Sequence, residues 1–182
     1  MSTPPLLRVV HAIDALNEFV GRGVAWLTLI MVLVTFTVVL LRYGFNLGWI
    51  AMQESITYMH AAVFMLGAGY TLLHDGHVRV DIFYRGMAPK RKAAIDLFGA
   101  LFLLLPTFLF LIWASWDYVA DSWAVQEASA ETGGIPYRYL LKSVILLMAG
   151  LMILQGLSQA LRSLLILLGR IEPVVEPMHE EV

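Results

Sequence analysis

Ionisable side chains within an apolar run mark candidate proton, ion or cofactor sites, because burying them in lipid is costly unless they are put to use. His60 is the one such residue here, about six positions and roughly 8 Å along a helix inside the second of four charge-free stretches. A neutral histidine bonded to a neighbouring helix is the preferred reading, contact with a partner subunit the second, and a metal or haem ligand the last. His74 and His77, with Asp81 four residues further on, have a spacing that occurs in metal sites but no zinc signature; a polar loop at headgroup level explains them more simply. Glu54 stands at the edge of an apolar stretch behind Trp49, placed for a charge-assisted contact. Gln155 and Gln159 share a helix face with the small pair Gly156 and Ala160, a pattern suited to close packing against a helix of this chain or of another. No nucleophile with a base, acid pair or phosphate loop accompanies them, which argues against an enzyme. With no cysteine at all, disulfides and thiolate metal sites are excluded.

The elements that must position these residues are membrane spans. The chain is 59% hydrophobic and 14% charged, well away from the roughly 45–50% and 25% of soluble domains. Residues 23–41, 55–73, 97–116 and 143–161 contain no Asp, Glu, Lys or Arg. Each covers about 28–30 Å as a helix, the thickness of the hydrocarbon core. An all-α integral membrane protein with four transmembrane helices follows, as a single domain over residues 1–170 with an acidic tail, expected to be disordered, over residues 171–182. The first run is too long for a signal-peptide core and is expected to be retained.

Orientation follows from lysine and arginine. Nine of the twelve fall in the N-terminal segment, the middle loop and the C-terminal segment; only Arg42, Arg138 and Lys142 lie on the other side, so both termini are expected in the cytoplasm. The small clusters of charge, net -2, form no basic stripe for nucleic acid.

Between the spans, residues 5–21 place Leu6, Val10, Ile13, Leu16 and Val20 opposite Arg8, His11, Asp14 and Glu18, which predicts an N-terminal amphipathic helix on the membrane surface. Residues 45–53 predict a short interfacial helix after the first span. Asp75 and Gly76 signal a turn, Pro89 begins the third helix, and Pro106 inside the third span predicts a packing kink. Residues 117–125 extend the third helix, and Gly133, Gly134 and Pro136 interrupt the chain before the fourth.

Four motifs in order resemble the small membrane subunit (DctQ-like) of tripartite ATP-independent periplasmic (TRAP) transporters, over essentially residues 10–165. They are RYGFN at 42–46, WIAMQESITYMH at 49–60, LGAGYTLLHDGHVRVDIFY at 66–84 and ETGGIPYRYLLKSVI at 131–145. Gln53 and Glu54 stand where many members carry two acidic residues. Carried over position by position, the resemblance singles out Arg42, Tyr43, Trp49, Glu54, His77, Asp81 and Pro136; with His60, Gln155 and Gln159 these are the candidate subunit-interface or structural residues.

The resemblance further implies a bacterial inner-membrane complex. In it a large membrane subunit (DctM-like) holds the substrate and uses a sodium or proton gradient, a periplasmic protein delivers substrate, and this subunit braces the whole amid membrane lipid. No cofactor is expected in this chain. The GHVRVDIFY segment is similar to the branch labelled for mannitol and chloroaromatic compounds, and the substrate expected is an organic acid such as a 2-oxo or hydroxy monocarboxylate. Two alternatives are weaker: a haem- or quinone-anchoring redox subunit needs histidines at matched depths on facing helices, and a self-contained small exporter needs a membrane-embedded carboxylate.

Overall fold

Each charge-free stretch lies within one long helix of the computed structural model, which describes residues 5–78, 82, 84 and 86–172. In chain order these are α1 (Pro5–Gly44), α2 (Ile50–Leu73), α3 (Pro89–Gly99), a π turn (Ala100–Leu104), α4 (Leu105–Ala124) and α5 (Arg138–Leu167). With α3, the π turn and α4 running on as Pro89–Ala124, four helices are long and apolar enough to cross a membrane. Asp81, Arg79, Arg85 and the tail acids Glu176, Glu180 and Glu181 lie outside the described residues.

Neither of the two extra helices is set off from its neighbouring span. The N-terminal amphipathic segment and the first span form one unbroken helix of 40 residues, about 60 Å at the usual rise. Gly21 does not break it, because its missing side chain serves a close approach: a Cβ there would lie 2.4 Å from the Tyr70 side chain of α2. An uninterrupted ladder also leaves no backbone group unpaired where the chain enters lipid. Likewise, residues 46–49 are non-helical and helix begins at Ile50 as the first turn of α2, so residues 45–53 are a connector joined to a span.

Other local signals take the form their chemistry dictates. Asp75 adopts a positive φ of 53°, and the Gly76 N–H donates to the Thr71 carbonyl at 2.8 Å, closing α2. Pro89 occupies the first turn of α3 after an extended Ala88. Pro106 has no N–H to offer the preceding turn, and the chain widens just before it: the Leu105 N–H reaches back five residues to the Ala100 carbonyl. Where a packing kink was expected at Pro106, the structure has a π turn on its N-terminal side.

Packing is centred on α5. It touches every other helix; α1 also packs on α2, whereas the third span contacts neither α1 nor α2. The result is an open slab rather than a closed bundle. Small residues make the close contacts: Ala149 and Ala160 of α5 are buried, and a Cβ on Gly156 would sit 2.4 Å from Leu104 of the π turn. Large side chains such as Trp26, Phe36, Trp113 and Trp116 point outward, as expected where lipid or another subunit is the solvent.

Candidate functional site

Two polar clusters, one at each end of the slab, tie the helices to one another. The first joins the early part of α1 to the late part of α5. Asp14, Asn17 and Glu18 fall at i, i+3 and i+4 on α1; Gln155, Ser158 and Arg162 fall at i, i+3 and i+7 on α5, so each trio lines one helix face. One carboxylate oxygen of Asp14 accepts from the Ser158 hydroxyl at 2.7 Å and the Gln155 amide at 3.1 Å, and the other accepts from the Arg162 guanidinium. The Gln155 carbonyl in turn accepts from the Asn17 amide at 2.9 Å. Asn17 is fully buried, and its Oδ1, without a hydrogen-bond partner, abuts Gly69 of α2, where a Cβ would be only 2.1 Å away. Glu18 pairs with His74 at 2.7 Å beyond the end of α2. Three helices are thereby fixed in register.

Asp14 is the hub, with a side chain only 16% exposed, so its removal strands three donors. Asp14→Ala is expected to lower the stability of the detergent-solubilised chain by about 2–3 kcal/mol, the scale for breaking hydrogen bonds to a charged group. A thermal melt checks this, and an unchanged midpoint would show that the cluster contributes nothing.

The second cluster holds the loop between α4 and α5. Glu54, in the first turns of α2, accepts from the Ser129 hydroxyl and, at 2.6 Å, from the Ile135 backbone N–H. Gly134 lies so near that a Cβ would be 2.7 Å from the Glu54 carboxylate, and Gly133 takes a φ of +80°, which explains both glycines of the motif. Glu127 accepts from Lys142 and from the Ser122 hydroxyl at 2.7 Å. These bonds, led by that from Lys142, hold its carboxyl below the usual range. The Trp123 indole N–H donates to Ser143 at 2.7 Å, and its ring meets Tyr139 edge-on.

The structure thus brings Glu54 and Gln155 into ties within this chain and leaves others outside them. His60 is exposed on α2, stacked on Phe64 at 6.4 Å, and among the described residues no neighbouring helix is bonded to it. The bond to a neighbouring helix preferred for it is not made among the described residues, and its ring is exposed. Arg42, Tyr43, Trp49, Pro136 and His77 are all exposed, and Gln159 is half-buried outside the hydrogen-bonded cluster. His74 is committed to Glu18, away from His77. Among the described residues no three of His, Asp and Glu converge as metal ligands would. Gly156 and Ala160 pack within this chain, which answers for which helix the small pair was suited.

The sequence reading passed over Asn17, Ser158 and Arg162, and placed Asp14 on a solvent face. The available signal was the match between two polar trios at helical spacing near opposite ends of the chain. Ser129, Glu127 and Lys142 gave no comparable pattern, since a loop supplies two of them.

Fold and polar ties define a multi-pass, all-helical membrane protein whose buried polar groups bind its own helices together. The chain belongs to the DctQ component family of the tripartite ATP-independent periplasmic transporters, which matches residues 31–165, well over half its length. That family is a component of transporters and not an enzyme. The chain is also similar to the C4-dicarboxylate TRAP transporter small permease protein DctQ of Vibrio cholerae, 29% identical over 129 residues, covering 71% of this chain and 53% of that protein. It therefore spans about half the length of this curated relative. No solved structure matches it.

Proposed function

We propose that this chain is a stationary brace for the large membrane subunit of a TRAP transporter, which takes up an organic acid delivered by a periplasmic binding protein. The observation that carries this is the placement of its polarity: the ties at both ends lock α1, α2 and α5 and the α4–α5 loop into one body, leaving long apolar faces outward. Alternating access in secondary transporters moves one part against another, and a rigid apolar slab suits the fixed part. The coupling ion, sodium or proton, is assigned to the large subunit. The Vibrio relative and the GHVRVDIFY resemblance support an organic acid, such as a C4-dicarboxylate or a 2-oxo or hydroxy monocarboxylate, with the mannitol and chloroaromatic label marking the branch. The bacterial inner membrane is the proposed location, with the single domain over residues 1–170 embedded there.

Within that assembly the exposed Arg42, Tyr43, Trp49 and His60 and the half-buried Gln159 are offered to the large subunit, while Glu54 and Gln155 act indirectly by securing the helices that meet it. A tagged form of this chain should co-purify with the large subunit at fixed stoichiometry. Recovery of this chain without the large subunit under mild detergent would contradict the bracing role.

The start of α1, the α2–α3 connection and the end of α5 are assigned to the cytoplasm by the nine-to-three bias in basic residues. Thr132 and Lys90 are exposed at opposite ends of the slab and free of the ties described above. In intact spheroplasts Thr132→Cys should react with an impermeant thiol reagent and Lys90→Cys should not. The reverse pattern would invert the orientation.

A further inference from the structure

The third span and α2 do not touch, so the face of α5 between them is bare on the side that carries Glu54 and the α4–α5 loop. A groove of about 410 Å³ runs there, lined by Ala61 and Met65 of α2, Tyr118 of α4, and Arg138, Leu141, Lys142 and Ile145 of α5, with Glu127 at its mouth. Its volume lies in the range of small-molecule sites. Polarity is graded along it. Arg138 opens α5 at the rim, and Ile145 lies about 10 Å deeper at the helical rise, beside Met65 and Ala61. The two basic side chains outweigh the one acidic group in the lining. Lys142 is committed to Glu127 and lies 3.9 Å over the Tyr118 ring. Arg138 reaches Glu127 only at 3.9 Å, beyond hydrogen-bond distance, and its side chain is 42% exposed, so its planar fork of donors remains available at the mouth.

A cationic rim above an apolar slot between two membrane-spanning helices matches one ambient molecule, a glycerophospholipid. We propose that this groove holds one membrane phospholipid, its phosphodiester on Arg138 with Lys142 behind it, and one acyl chain laid along Leu141, Ile145, Met65 and Ala61. Basic pockets between transmembrane helices recognise lipid headgroups in this way. The lipid fills the gap between α2 and the third span, completing the slab where protein side chains do not.

The test uses the full chain, delipidated in detergent, with phosphatidylglycerol as probe and native mass spectrometry and thermal melting as readouts. One lipid should bind saturably and raise the melting midpoint. Arg138→Gln should weaken binding several-fold, and Ile145→Trp, which fills the slot but spares the rim, should abolish it. Both variants should melt like the parent before lipid is added. Glycerophosphoglycerol, which has the headgroup without chains, and dioleoylglycerol, which has the chains without phosphate, should each produce little shift. Dioleoylglycerol binding as well as phosphatidylglycerol, or both variants binding like the parent, would overturn the proposal. So would Ile145→Trp breaking co-purification of the large subunit with lipid binding intact, which would assign the groove to a protein helix.

Discussion

Replacing Glu54 by alanine should free the loop between α4 and α5 and cause a several-fold fall in recovery of the large subunit with this chain. The argument rests on what the carboxylate does. Its two oxygens accept from separate places on one loop, the Ser129 hydroxyl and the Ile135 N–H, and no water-exposed substitute holds both. Glu54→Gln can still accept from the Ile135 N–H through its carbonyl and donate its amide to the Ser129 hydroxyl, but it loses the charge that strengthens both bonds, so it should be impaired as well, though less. Gly134→Val attacks the same contact from the loop, since even a Cβ there would lie 2.7 Å from the carboxylate, and it should reproduce the alanine defect. The readouts are co-purification and protease sensitivity of residues 126–137. Normal assembly and an equally resistant loop in all three variants would remove Glu54 from the account.

How far such contacts could be read in advance depended on their range along the chain. Span positions were legible because a charge-free run of some twenty residues has few other uses, and all four windows fall within long helices. Local chemistry was legible too: Pro89 starts a helix, Asp75 and Gly76 end one, and Gly156 and Ala160 admit a close neighbour. The continuity of α1 was not, because Gly21 reads equally as a breaker and as a seat for Tyr70; only the position of α2 decides between them. Helical periodicity placed Asp14 on a polar face without naming what that face meets, and its partner Arg162 is 148 residues away. The role of Glu54 was half legible. Its place beside Trp49 marked it, but its partners Ser129 and Ile135 lie in an irregular loop with no period to read. His60 shows the opposite case: an intramembrane histidine was expected to bond to a neighbouring helix, and among the described residues it bonds to none and is exposed.

The second large effect concerns transport itself. Reconstituted alone, this chain should move no substrate under a sodium or proton gradient, because the charge-free stretches of its spans contain no carboxylate to hold an ion and no broken helix pair to bind a substrate between half-helix ends. The basic groups that flank the fourth span are already engaged by carboxylates: Arg162 by Asp14, and Lys142 by Glu127. An isolated brace has nothing to carry. Its absence should nevertheless be severe, since the large subunit would move without the fixed body it moves against. The most direct measurement is uptake of labelled organic acid, C4-dicarboxylates and 2-oxo or hydroxy monocarboxylates among those screened, into vesicles reconstituted with all three components and with each omitted in turn. The bracing account predicts ATP-independent, gradient-driven accumulation with all three, and background levels both for this chain alone and for the set lacking it. Saturable uptake by this chain alone, or full uptake without it, would contradict that account.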